Sequence, residues 1–268
     1  MTLAFAMRRT PDAEVGALVT GIVALVLCGT IALVEGTWSG DLAPFLVAGL
    51  IAPGVSQVLY VRAVRDAGAS RTAVVVGVTP LISVTIAMIV LGEPFSVPLL
   101  GGALLIVLGG IALAGERVRP ATFRAVGVAF ALACSVLFAT RDNVVRGIAD
   151  DGTDVPAQLA AVATLASGTA LIASFLVATR GRALAAQLGR ALPAFTLSGL
   201  VWGASYVTLF EAFYRARVTV VAPMVSTESL FAVAAAWLFL RRHEHVGPRL
   251  VVGAMFVVAG GVLIGVFR

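Results

Sequence analysis

The chain contains no lysine; all 19 of its basic residues are arginine. A phosphate loop of the GxxxxGKS/T type and a Schiff-base amine both need that side chain, so neither chemistry is built into this chain. Charge of either sign is also scarce. Only 12% of the 268 residues are charged, about half the share in a soluble domain. There are two histidines and two cysteines. Cys28 and Cys134 each lie inside an apolar stretch with no CxxC partner, so they read as small packing residues rather than redox or metal groups. His243 and His245 share one short loop, where adjacent ligands cannot surround an ion, and no metal site is expected.

What is present in excess is apolar. Sixty per cent of the residues are hydrophobic and mean hydropathy is +1.03. So little polar surface cannot cover a globule in water, which makes lipid the solvent. Each backbone amide in hydrocarbon must then be satisfied internally, by a helix or a closed barrel. The apolar runs are near 20 residues long rather than ~10-residue alternating segments, so helices are expected. The formal charge of +5 does not indicate nucleic-acid binding, because the arginines stand singly or in pairs between apolar spans.

Nine segments are long enough to cross a bilayer, near 15–34, 42–63, 70–91, 97–115, 125–147, 157–178, 193–214, 218–240 and 248–267. Short turns separate them, marked by Gly36 to Gly40, Gly92 to Pro98, Asp150 to Pro156 and Gly247–Pro248. The fold expected is an all-α, multi-pass helix bundle in the cell membrane. No loop is long enough to fold alone, so the function has to be built from the bundle. Fourteen arginines fall on one side of the spans and five on the other, where Glu35, Asp41, Asp150, Asp151 and Asp154 also lie. The positive-inside rule puts the arginine-rich loops in the cytoplasm and the C-terminus outside.

An internal repeat underlies the pattern. The stretch GALLIVLGGIAL from Gly102 lies on GAMFVVAGGVLI from Gly253 at one constant offset. Gly102 then falls on Gly253, Gly109–Gly110 on Gly260–Gly261, and Glu93 on Glu244. The chain thus reads as two related halves, 1–115 and 125–268. Matching Arg146 to Arg8 leaves the first span of the first half short: either the start codon is misassigned or the chain has nine full spans, the number expected here.

The stretch from Tyr60 to Gly115 resembles the end of a half of an EamA-type transporter, a branch of the drug/metabolite transporter superfamily. It has an aromatic-Ala-Arg helix end, the Thr79–Pro80–Leu81 span, Leu91–Gly92–Glu93 and a glycine-rich last helix. The second copy carries Ser226–Thr227–Glu228, but has Ser229 where that family often has Pro, and Arg241–Arg242–His243 before Glu244. The resemblance implies a family form of ten spans in two five-span halves of inverted topology, since an odd number of spans per half inserts the second upside down. It also implies alternating access, with a small organic solute moved commonly outward. Relatives of ten spans usually place both ends in the cytoplasm, opposite to the charge count.

Several residues are candidates for that work. Glu228 sits mid-span, where a carboxylate costs a few kcal/mol unless it faces the bundle, so it is a candidate for proton or ion coupling against the plainer role of a neutral inter-helix hydrogen bond. Arg141, Asp142 and Asn143 form a polar island in an apolar span. Arg141 suits a carboxylate or phosphate on a solute, with Asn143 a candidate beside it; the alternative is a helix end whose arginine snorkels to headgroups. Gln57, Tyr60, Trp202 and Tyr206 suit a solute path, or an interfacial aromatic belt. Glu93 and Glu244 read as helix-end anchors, and Gly199 with Gly203 and Gly261 with Gly265 as close helix contacts. Asp150–Asp151–Gly152–Thr153–Asp154 spells DDxxD, but no second acidic motif accompanies it and Pro156 follows, so it reads as a helix-capping turn. Neither this motif nor a Ser–His pair supports an enzyme. No cofactor is implied, and the expected partners are a small-molecule substrate and the lipid bilayer. A membrane scaffold without transport is the main alternative.

Overall fold

The computed structural model describes residues 2–9, 12–36, 39–91, 97–114, 123–216, 218, 221, 224–225, 228–239 and 247–266. All the regular structure among them is helical. Six described helices are long and apolar enough to cross a membrane. Large apolar side chains such as Val34, Val47, Phe175 and Phe231 stand exposed on the outside, which only a lipid solvent tolerates. This is a polytopic helical membrane protein. Glu93, Glu244, Arg241, Arg242, His243 and His245 lie outside the described residues.

The helices are α1 (Thr2–Arg9), α2 (Ala13–Glu35), α3 (Ala43–Gly49), α4 (Ser56–Ala67), α5 (Ala69–Val76), α6 (Thr79–Leu91), α7 (Val97–Ala114), α8 (Val126–Asp150), α9 (Ala157–Arg180), α10 (Ala183–Arg215), α11 (Glu228–Phe239) and α12 (Pro248–Val266). Two compact units form. The first holds residues 63–143 and 216–268, the second residues 2–62 and 144–215.

In the first unit α7 and α12 pack along their lengths through glycine. A methyl group at Gly102 would lie 2.7 Å from the Gly260 carbonyl oxygen, and one at Gly109 would lie 2.7 Å from that of Gly253. Position rises along one helix as it falls along the other, so the two run antiparallel. These are the positions the internal repeat equates, and the contact is reciprocal, Gly102 with Gly260 and Gly109 with Gly253. Val74, Val233, Leu250, Ala254 and Val257 form the neighbouring core.

The expected span 70–91 is two helices, α5 and α6, meeting at Gly77–Val78. Pro80 has no N–H to give the Val76 carbonyl one turn back, and the Thr79 hydroxyl donates to that carbonyl instead at 2.6 Å. The Thr-Pro pair therefore breaks the helix without leaving a bare carbonyl in hydrocarbon.

The second unit is built on α2. Asp12 caps its start by accepting from the Val15 N–H at 3.1 Å, and Gly36 ends it in the left-handed region at φ 71°. Contacts of Gly16 with Phe195, Gly199 with Val23 and Gly203 with Ala24 advance in step, so α2 and α10 run parallel at close range. Gly199 and Gly203 thus serve helix contact inside the fold, and the Cys28 thiol donates to the Gly203 carbonyl at 3.4 Å.

The expected span 42–63 is interrupted as well. A π-helical segment, Leu50–Val55, joins α3 to α4, and Ala52 inside it is extended at φ −142°, ψ 115°. Pro53, which cannot continue the hydrogen-bond ladder, is the local cause. Gly168 of α9 packs straight onto the break: a methyl group there would lie 2.7 Å from the Gly49 carbonyl, the Gly54 nitrogen and the Pro53 ring. The expected span 193–214 starts earlier, since α10 begins at Ala183 and carries Pro193 inside it.

Candidate functional site

The polar island of α8 belongs to the first unit. Arg141 is 3% exposed and Asp142 6%. The arginine Nε donates to the Asp142 Oδ1 at 2.7 Å, and the guanidinium carbon lies 5.8 Å from the Phe138 ring centroid. Adjacent helical side chains point about 100° apart. Both are nevertheless buried, because the long arginine side chain bends across to its neighbour's carboxylate. Arg141 is therefore not snorkelling to headgroups. Asn143 donates to the Ala139 carbonyl at 2.8 Å and to the Ser83 carbonyl at 3.4 Å, linking α8 to α6.

Glu228 opens α11 and is exposed. Glu228, Arg141, Asp142 and Asn143 all belong to the first unit, with the carboxylate of Glu228 exposed and the Arg141–Asp142 pair buried. Ser226 and Thr227 lie outside the described residues.

The other candidates lie in the second unit. Trp202, Tyr206 and Phe210 recur every fourth residue of α10 and form a ladder. The Trp202 and Tyr206 rings meet edge-on at 5.2 Å, and Tyr206 stacks on Phe210 at 5.3 Å. Tyr206 is buried, and its hydroxyl donates to the carbonyl of Ala52, the extended residue of the broken helix, at 3.3 Å. Gln57 is buried just beyond that break, and Tyr60 is half-buried one turn later. Tyr206 is therefore a buried anchor rather than an interfacial belt residue. Trp202 stays partly exposed.

A cluster of charges at one end of the second unit escaped the sequence reading. Arg62 of α4 donates from Nε to Glu14 at 2.8 Å. Arg180, at the end of α9, pairs with Asp12 and with Glu14 at 3.4 Å, and donates to the Gln187 side chain at 3.2 Å. Burial alone would raise the Asp12 carboxyl, but the Arg180 hydrogen bond, the Val15 N–H and the Arg180 charge outweigh it and hold Asp12 below its ordinary value. At the opposite end of the unit Gln158 donates to Glu211 at 2.6 Å, Arg215 pairs with Glu211, and Arg146 donates to the Phe213 carbonyl at 2.8 Å. Each pair joins residues 48 or more apart in sequence or sits at a helix end, so periodicity carries no sign of it. The DDxxD stretch lies at this second end as a turn before α9, where Asp150 pairs with Arg146 and the Thr153 hydroxyl accepts from the Val155 N–H. No group of three or more potential metal ligands exists among the described residues.

A helical bundle with ionisable groups buried inside its spans is an integral membrane protein with an intramembrane polar site. The profile of the EamA-like transporter family matches residues 3–115 and, a second time, residues 125–266. The chain belongs to that family. A solved structure titled "Crystal structure of protein" shares the fold at a TM-score of 0.69 and 18% identity, over 98% of this chain and 91% of that one. No curated protein matches the chain in sequence.

Proposed function

We propose that this protein is a secondary transporter that exports small organic metabolites by alternating access, with nine full spans in two halves, 1–115 and 125–268, of inverted topology. The carrying observation is the Arg141–Asp142 pair, held buried well inside a transmembrane helix. Buried ionisable groups are costly in a membrane and persist where a path for polar solutes needs them. The reciprocal antiparallel contact of α7 with α12 supports the inverted repeat, because a two-fold axis crossing both helices exchanges Gly102 with Gly253 and Gly109 with Gly260.

Within this reading Arg141 and Asn143 in the first unit, and Gln57, Tyr60, Trp202 and Tyr206 in the second, contact solute. Glu228 exchanges the coupling proton. With Asp142 already on its Nε, Arg141 meets a solute as half of a dipole and not as an isolated cation.

Untargeted comparison of metabolites inside and outside cells that overproduce or lack the protein tests the function. A small set of solutes should move outward with overproduction; no change in any solute favours a non-transporting scaffold. For a solute so found, Glu228→Gln should leave the protein folded in the membrane while altering transport and flattening its pH dependence. Unchanged transport over a broad pH range returns Glu228 to a structural role.

A further inference from the structure

The second unit is electrically polarised from end to end. At the end formed by the start of α2, Arg62 of α4 and the end of α9, the described side chains of this unit are Arg9, Arg62, Arg180, Arg182 and Arg190 against Asp12 and Glu14. At the other end, Arg146 and Arg215 stand against Asp41, Asp150, Asp151, Asp154 and Glu211. The two acids of the positive end are already engaged by Arg62 and Arg180. Arg9, Arg182 and Arg190 are exposed, and none of the three is in an ion pair among the described residues.

Chain proximity to the Asp12–Arg180 and Arg180–Gln187 contacts places these three around one corner. Arg9 precedes Asp12 by three residues, and Asp12 holds Arg180. Arg182 follows Arg180 by two residues, and Arg180 also holds Gln187, which is one turn before Arg190. Helix α1 packs on α10, with Leu3, Ala4, Ala6 and Met7 buried.

The corner lies at headgroup level. At 1.5 Å per residue the 33 residues of α10 extend about 50 Å, against roughly 30 Å of hydrocarbon. The stretch before Pro193 therefore projects past the acyl chains. Below it α10 exposes Leu197 at 59% and Val201 at 54%. Leu197 is seven residues from Arg190 and Val201 eleven, which puts all three on one helix face.

We infer that this corner binds an anionic phospholipid, its phosphate held by Arg9, Arg182 and Arg190 and an acyl chain lying along Leu197 and Val201. The basic corner matches an anionic phosphodiester, and the apolar stripe beneath it selects a lipid over a soluble phosphate. A zwitterionic headgroup brings its own cation to a site already rich in cations and binds less well.

The full-length protein purified in detergent tests this. Native mass spectrometry and thermal unfolding are recorded with phosphatidylglycerol, with phosphatidylcholine of the same acyl chains, and with inorganic phosphate. Phosphatidylglycerol alone should remain bound and raise the melting temperature. Each of R9Q, R182Q and R190Q should weaken that binding about five-fold, while R215Q at the opposite end leaves it unchanged. Equal effects of the two lipids, or full binding by folded R190Q and R182Q, overturn the inference. An equal effect of inorganic phosphate also overturns it, showing a small-anion site without the acyl groove.

Discussion

At the scale of single residues, the costs of burial decide the outcome. Arg141 and Asp142 share one desolvated environment, so removing either charge strands the other. Asp142→Asn should lower stability by roughly 3–5 kcal/mol, whereas the double replacement Arg141→Met with Asp142→Leu should recover most of that loss. Thermal unfolding of the two variants in detergent checks it; a double variant no better than Asp142→Asn refutes the account.

Asp12 gives a second prediction, and its sign follows from the depressed carboxyl. A group with a lowered folded-state value binds protons more readily when unfolded. Its contribution is complete above the ordinary carboxylate range and is lost as pH falls through the folded value. Unfolding midpoints measured from pH 7 down to pH 3 should fall less steeply for Asp12→Asn than for the native chain. Parallel profiles would show that the Asp12–Arg180 pair adds no pH-dependent stability.

At the scale of helices, glycine is either a contact or a spacer, and composition does not say which. Gly109 meets the backbone of Gly253, and Gly168 meets backbone atoms of Gly49 and Gly54, none of which can rotate away. Gly29 has nothing within 4 Å of where its Cβ would be. Gly109→Ala and Gly168→Ala should therefore lower the melting temperature. Gly29→Ala should hold or raise stability, by up to about 1 kcal/mol from helix propensity. Equal behaviour of all three would remove close packing as the reason for the glycine-rich faces.

Helix continuity was legible only in part. The six crossing helices follow from runs of apolar length. The breaks at Ala52 and at Gly77 depend on which carbonyls find a substitute donor, Tyr206 lending nothing to the first until α10 packs beside it. The second needs only the adjacent Thr79 hydroxyl, and the Thr-Pro pair is a local signal for it.

At the scale of the whole molecule, charge and family pattern pull against each other on orientation. Fourteen arginines near the span ends of one side against five on the other favour a cytoplasmic location for the richer side, because translocating arginine is costly during insertion. A reporter fused after Arg268 separates the alternatives. Alkaline phosphatase should be active there and a cytoplasm-dependent fluorescent protein dark; the reverse result gives the arrangement usual for ten-span relatives.

The apolar composition, the span-length runs, the absence of lysine and the duplicated glycine pattern are properties of the chain itself, so the membrane, the helices and the repeat are written in the sequence. Short-range chemistry suffices for them: hydrocarbon demands helices, and helices demand length. Which polar groups meet is different. Arg180 finds Asp12 across 168 positions, and Gln158 finds Glu211 across 53. Such partners become neighbours only after α2, α9 and α10 have packed. The tertiary structure alone decided that Arg141 is paired and buried and that Tyr206 holds a broken helix. It likewise left Arg190 exposed, because each outcome depends on atoms that distant parts of the chain supply.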